Sequence, residues 1–219
     1  MSKDWNVLLA DAETQFKTAQ YALALSTYQH IAEETANALA QFRLGWIYQN
    51  GLGVPQDCGE AARWYTLAAT NASAHEQFRS SVRLAQNNLS VLYSTGCPNL
   101  QADEKSAAFY LKMAANSGEP RAQANLAVRT ANGEQGVEKN PYEAYALALK
   151  SATQRDPYGR IVLAEFYAGG VGVPADAKKA FDLIRQGSLD KSEGDLQQAA
   201  QFAQAGMHET GEGTSRNLD

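Results

Sequence analysis

The sequence predicts an all-α protein built from stacked helix pairs, and three observations predict it. Four leucines are each followed, seven residues later, by a glycine: Leu44 and Gly51, Leu89 and Gly96, Leu126 and Gly133, Leu163 and Gly170. The leucines lie 45, 37 and 37 residues apart. Each unit then places a short polar residue four positions before an alanine: Asp57 and Ala61, Asp103 and Ala107, Asn140 and Ala144, Asp176 and Ala180. Self-similarity at a period near 37 residues marks a repeat architecture of helix hairpins. Each unit of such a solenoid packs only on its neighbours.

The elements follow in order. Trp5 to Lys17 and Tyr21 to Glu33 predict a first helix pair joined by a short turn, within residues 1–35. Ala24, Tyr28 and Ile31 form the packing stripe of its second helix. In the first full unit, Ala40, Leu44, Ile47 and Tyr48 fall at helical spacing. Gly51 and Gly53 end that helix, since glycine tolerates the left-handed conformation at a helix C-terminus. Asp57 caps the next helix, and Glu60 three residues on fits a capping box. Ala61, Trp64, Tyr65, Ala68 and Ala69 make its packing stripe. The second unit keeps Leu89, Tyr93, Gly96, Asp103, Ala107, Tyr110, Ala114 and Ala115. The third has Thr130 where the others have tyrosine, and the fourth restores Leu163, Tyr167, Gly170, Gly172, Val173, Pro174 and Asp176.

The stretch between the first and second units, NASAHEQFRSSVRLAQNN, is about eight residues longer than the period allows. It lacks glycine and proline and predicts about two extra turns on the front of a helix. Leu189 to Met207 predicts a polar capping helix with Leu196, Ala199, Ala200 and Ala203 facing back, and residues 208–219 a disordered tail.

The 219 residues are 44% apolar, enough for a continuous core, with a net charge of −5. An acidic balance argues against nucleic-acid binding, which needs a basic stripe to displace phosphate counterions. It suits a basic partner. The apolar run Val7 to Ala10 is too short for a secretory signal, and no stretch approaches the ~20 apolar residues of a membrane span. The expected location is the cytoplasm. Cys58 and Cys97 are too few for a disulfide framework and lack CxxC spacing, so both are expected to be free thiols near loops.

The unit LGWIYQNGLGVPQDCGEAARWYTLAA, the segment LAEFYAGGVGVPADAKKAFDLI and the junction AANSGEPRAQANLA resemble the Sel1-like repeat, a relative of the tetratricopeptide repeat. The resemblance covers residues 36–187, while the first helix pair looks more like a tetratricopeptide unit. It implies a right-handed superhelical solenoid of about five antiparallel helix pairs plus the C-terminal capping helix at 188–207. It implies that the first helix of each pair lines a concave face. Members of the family act mostly as adaptors or scaffolds. Some bacterial members regulate signalling or neutralise toxins, and some secreted ones carry a disulfide within each repeat, with cysteines that this chain lacks.

Positions two before and two after each leucine are expected to point into that concave groove, with a third position one turn further on. They are Phe42, Trp46 and Gln49; Asn87, Val91 and Ser94; Ala124, Val128 and Ala131; Ile161 and Glu165. Phe42 and Trp46 serve either as an exposed aromatic anchor, of the type that dominates interface energies, or as packing against the first helix pair. Asn88 and Asn125 sit at equivalent positions and predict inter-helix hydrogen bonds. Arg43 and Arg129 read as solvated. His30, His75 and His208 show no metal spacing, and the glycine clusters follow helices without the lysine and strand of a phosphate loop. The sequence thus predicts a monomeric, non-enzymatic scaffold without metal or cofactor, binding a protein and neither membrane nor nucleic acid. The alternative is an immunity protein that masks a folded toxin. Tyr65, Tyr110 and Tyr145 on the second helices leave a convex patch open as the contact surface.

Overall fold

The computed structural model describes residues 4–134 and 136–188. The described residues are all-helical, with one isolated bridge, Cys97 to Leu100, and no strand. The chain divides into two compact units, Met1–Ala114 and Ala115–Asp219. Unit one holds α1 (Trp5–Lys17), α2 (Tyr21–Thr35), α3 (Ala38–Asn50), α4 (Cys58–Ala69), a 3-10 turn (Glu76–Phe78) and α5 (Arg79–Thr95). Helix α6 (Glu104–Asn116) closes it and runs across the boundary. Unit two holds α7 (Pro120–Asn132), α8 (Pro141–Thr153), α9 (Pro157–Gly169) and α10 (Ala177–Ser188). The capping helix and tail expected at 188–207 and 208–219 lie outside the described residues but for Ser188.

One hydrogen-bond pattern closes every repeat. The N–H of the cap residue reaches back to the carbonyl of the residue four after the repeat leucine. The pairs are Asp57 to Tyr48 at 3.0 Å, Asp103 to Tyr93 at 2.8 Å, Asn140 to Thr130 at 2.9 Å and Asp176 to Tyr167 at 2.8 Å. Because the bond uses backbone groups alone, Thr130 makes it as well as a tyrosine does. The same cap side chains accept from the first turn of the next helix: Asp57 from Glu60 N–H at 2.9 Å, Asn140 from Glu143 N–H at 3.2 Å, Asp176 from Lys179 N–H at 3.0 Å. These satisfy donors that a helix start leaves orphaned. With the cap N–H committed to the previous helix, Glu60 does not close a capping box. Its carboxylate pairs with Arg63 instead, at 2.8 Å.

The turn before each cap needs glycine. Gly51 stands at φ +63° and Gly170 at φ +69°, where a side chain is strained. Gly45 is required for another reason. A Cβ there would lie 2.4 Å from the Tyr65 ring, so glycine lets α3 and α4 close on each other.

Within unit one, consecutive helices pack from α1 to α5, and α3 also packs directly on α5. One cluster joins Tyr28, Ile31, Leu44, Ile47 and Trp64; a second joins Phe42, Tyr65, Ala85, Leu89 and Leu92. Within unit two, α7 packs on α8 and on α9, and α9 on α10. Its core gathers Ala127, Ala144, Ala148, Val162 and Phe166. Tyr145 and Tyr167 hydroxyls meet at 2.8 Å there.

Three expectations are corrected. Helix α5 has 17 residues against 13 for α3 and α7, so the long junction adds one turn rather than two. Its remainder folds as a loop and a 3-10 turn, tied to the end of α2 by a side chain. The Asn71 amide donates to the Ala36 carbonyl at 2.6 Å. Arg43 is not solvated: it grips Glu13 at 2.7 Å through two nitrogens and lies 4.7 Å over the Phe16 ring. Cys58 and Cys97 are not free thiols; they form a disulfide across a Cα separation of 6.5 Å. They are distant in sequence, but stacking brings the loop after α5 against the start of α4. Asn99 in that loop accepts from Cys58 N–H at 3.0 Å and donates to Asp57 at 2.6 Å.

Candidate functional site

The first helices of successive repeats lie side by side in each unit, α3 with α5 and α7 with α9. The contact positions expected from the sequence lie on these first helices. In unit one the stripe on α3 is Phe42, Trp46 and Gln49, and the stripe on α5 is Asn87, Val91 and Ser94. Trp46 is 38% exposed and Val91 43%, both high for large apolar side chains. They are equivalent residues, each two positions after its repeat leucine. Neither is consumed by the cores of unit one.

Phe42 departs from the expectation. It is buried beneath the next repeat, tilted against Tyr65 with ring centroids 5.8 Å apart, so its ring is spent on packing between repeats. Gln49 is also committed. Its side-chain oxygen accepts from the Tyr65 hydroxyl at 2.7 Å, and Asn88 donates to that hydroxyl at 3.0 Å. The inter-helix bond expected of Asn88 is therefore present, whereas Asn125 makes none among the described residues. Burial and the Asn88 bond act on the Tyr65 phenol, and burial prevails, pushing its pKa up. Asn87 is half-buried, and its side-chain oxygen has no hydrogen-bond partner among the described residues. Ser94 is half-buried.

In unit two, Ala124 is fully buried, since a methyl group is too short to reach past the core formed with Ala127 and Ala144. Val128 and Ala131 on α7 are half-buried against that core. On α9, Ile161 is half-buried against Ala164, Ala180 and Ile184. Glu165 stands at the surface. Neighbouring atoms still displace enough water from its carboxyl to raise its pKa, and no cation pairs with it among the described residues. Of the expected contact positions, the exposed large apolar side chains are thus those on unit one.

A charged group on unit one ties three helices together. Burial alone would raise the Glu13 pKa. Hydrogen bonds from Arg43 and from the Tyr28 hydroxyl, at 2.6 Å, outweigh it and hold the carboxyl below its usual value. Sequence reasoning missed this triad because its members are 15 and 30 residues apart. The signal that could have found it is Glu13 on an otherwise apolar stripe. Among the described residues no group of three His, Cys, Asp or Glu could hold a metal ion. No described helix is long and apolar enough to cross a membrane.

The Sel1 repeat family model matches residues 38–73, 83–119, 120–156, 157–189 and 197–219. The chain belongs to the Sel1-repeat family. Three of these matches begin at the first residue of α3, α7 and α9, so the family's unit is the helix pair seen here. Helices α1 and α2 lie outside the matches, and the last match lies outside the described residues. A Sel1 repeat protein from Oxalobacter formigenes is similar in structure, with a TM-score of 0.73 and 27% identity. The similarity covers 90% of this chain and 72% of that one. The second similar structure is c5321, a protective antigen of uropathogenic Escherichia coli strains displaying an SLR fold. Its TM-score is 0.74 at 22% identity, over 99% of this chain and 46% of that one. The chain thus spans less than half of c5321, and that likeness concerns the fold alone. No match was found among curated proteins.

Proposed function

We propose that this Sel1-repeat chain is a non-enzymatic scaffold that binds a partner protein through the side shared by α3 and α5. Sel1-repeat proteins generally mediate protein–protein interaction. The observation that carries the reading for this chain is the pair Trp46 and Val91. Both are large, apolar and exposed, at equivalent positions on helices that pack together. Tryptophan is enriched among the few residues that dominate interface energies, because one side chain buries a large area with one polar handle. Val128, Ala131, Ile161 and Glu165 offer a smaller, less apolar contact on unit two. No observation favours the toxin-neutralising reading over this one.

The disulfide bears on where the chain works. Thiols are kept reduced in the cytosol, while disulfides persist in oxidising compartments. The Cys58–Cys97 pair therefore supports an oxidising compartment over the cytoplasm expected from the sequence. Affinity capture from the native source, with the bridge left intact, tests the interaction. A stoichiometric protein captured by the wild type and lost with Trp46→Glu/Val91→Glu, at unchanged helix content, is the expected result. Equal capture by that double variant places the contact elsewhere.

A further inference from the structure

The long junction between the first two Sel1 repeats builds something that the other described junctions do not. Gln154 to Asp156, for comparison, is a short turn between α8 and α9. The segment Asn71–Phe78 instead folds over the corner between α2 and α3. The Asn71 amide is fixed on the Ala36 carbonyl, Ser73 donates to the Asn71 side-chain oxygen at 3.1 Å, and Phe78 N–H closes the 3-10 turn on the His75 carbonyl at 2.8 Å. An ion pair between Arg79 and Glu76 holds the far end. Between this segment, the corner and the first turn of α1 lies a cavity of about 550 Å³. That is within the size range of pockets that hold one small molecule. It is separate from the side that carries Trp46 and Val91, none of whose residues line it.

We propose that this cavity is a binding site for a neutral carbohydrate. Its lining among the described residues contains no Asp, Glu, Lys or Arg, so no charged side chain there would select an ion. Two helix starts meet at the cavity, but each already gives two of its N–H groups to its own cap residue. Asp4 already accepts from Asn6 N–H and Val7 N–H, and Asn37 accepts from Leu39 N–H and Ala40 N–H. The Asp4 carboxylate beside Trp5 would further repel an anion.

What the cavity offers instead is aromatic surface beside uncharged hydrogen-bonding groups. Trp5, tilted on the His30 ring at 5.4 Å, and Phe78 are both partly buried against the core, so their rings are held in place. The side chains of Asn6, His75 and Gln77 and the Asn37 amide nitrogen make no hydrogen bond among the described residues. A sugar ring answers both features. Its C–H face lies against an aromatic ring, and its hydroxyls pair with amides that both donate and accept. Three chain segments surround the space, which suits a compact ring better than a peptide running through.

Titration of the full-length, oxidised chain with chitotriose and separately with cellotriose, followed by 15N NMR, tests this. The expected result is saturable shifts of the Trp5 indole and of the Asn6, Asn37 and Gln77 side-chain amides with at least one sugar. Trp5→Ala and Gln77→Ala should each weaken binding by about tenfold or more, while Trp46→Glu leaves it unchanged. Gln77 is exposed and unbonded, so its variant keeps the test independent of folding. The proposal is overturned by no shift with either sugar, or by shifts that survive both variants. It is equally overturned if the neutral peptide Gly-Asn-Ser-Gly moves these resonances and neither sugar does.

Discussion

Replacing Cys58 and Cys97 together with alanine removes the covalent tie between two adjacent repeats of unit one. The bridge closes a chain segment with a sequence separation of 39. In the loop-entropy account, a closed loop of about 15 residues is worth about 3 kcal/mol and one of about 100 residues about 4.7 kcal/mol; this loop falls near 4 kcal/mol. Alanine is the right replacement at Cys58, which is buried and would leave a serine hydroxyl short of partners. The three tryptophans, Trp5, Trp46 and Trp64, all lie in unit one. Urea denaturation followed by tryptophan fluorescence therefore reads that unit alone. With a urea slope of about 1–3 kcal/mol/M, a loss near 4 kcal/mol moves the midpoint down by at least about 1.3 M. A reductant should move the wild type by a similar amount and the variant not at all. Equal midpoints for oxidised and reduced wild type, with intact-mass measurement showing the bridge formed in one and absent in the other, would refute the reasoning.

Further predictions concern packing and charge. Glu13→Gln should destabilise unit one by about 1–3 kcal/mol, less than a fully buried pair would cost, because both partners keep some solvent contact. Since the folded chain holds the Glu13 carboxyl below its usual value, its contribution is complete above that usual value. It disappears as pH falls through the lowered one. Acid titration of stability should show this loss in the wild type and a smaller loss in Glu13→Gln. Gly45→Ala drives a methyl into the Tyr65 ring and should cost about 1–3 kcal/mol in the same urea assay, the clash outweighing the roughly 1 kcal/mol that alanine gains in helix propensity. Asn140→Ala removes the α8 cap and should cost about 1 kcal/mol, read by hydrogen exchange at the Glu143 amide.

The parts of the fold visible in the sequence are those set by local chemistry. The leucines, the glycines at positive φ and the cap residues each act within a few positions of themselves, and all four repeats form as their spacing indicates. The Sel1 match follows the same signals. What stayed hidden depends on proximity created only by stacking. Cys58 meets Cys97 because repeat two sets its loop on α4. Arg43 meets Glu13 because α2 packs on both α1 and α3, and the Asn71 side chain meets the Ala36 carbonyl 35 residues away. The candidate face was legible in outline, since Trp46 and Val91 follow from the leucine register. That Phe42 and Ala124 are buried was not, because helical spacing fixes direction and not what lies overhead. The bond that holds the Gln49 side chain was hidden for a similar reason: its partner, Tyr65, comes from the neighbouring helix.

The most direct test of the central claim is hydroxyl-radical footprinting of the chain with and without its captured partner. Trp46 and Val91 should lose most of their labelling on binding, while exposed Phe109 on α6 and Leu67 on α4 keep theirs. Unchanged labelling at Trp46 with protection at Phe109 or Leu67 would contradict the account and move the contact to the second helices.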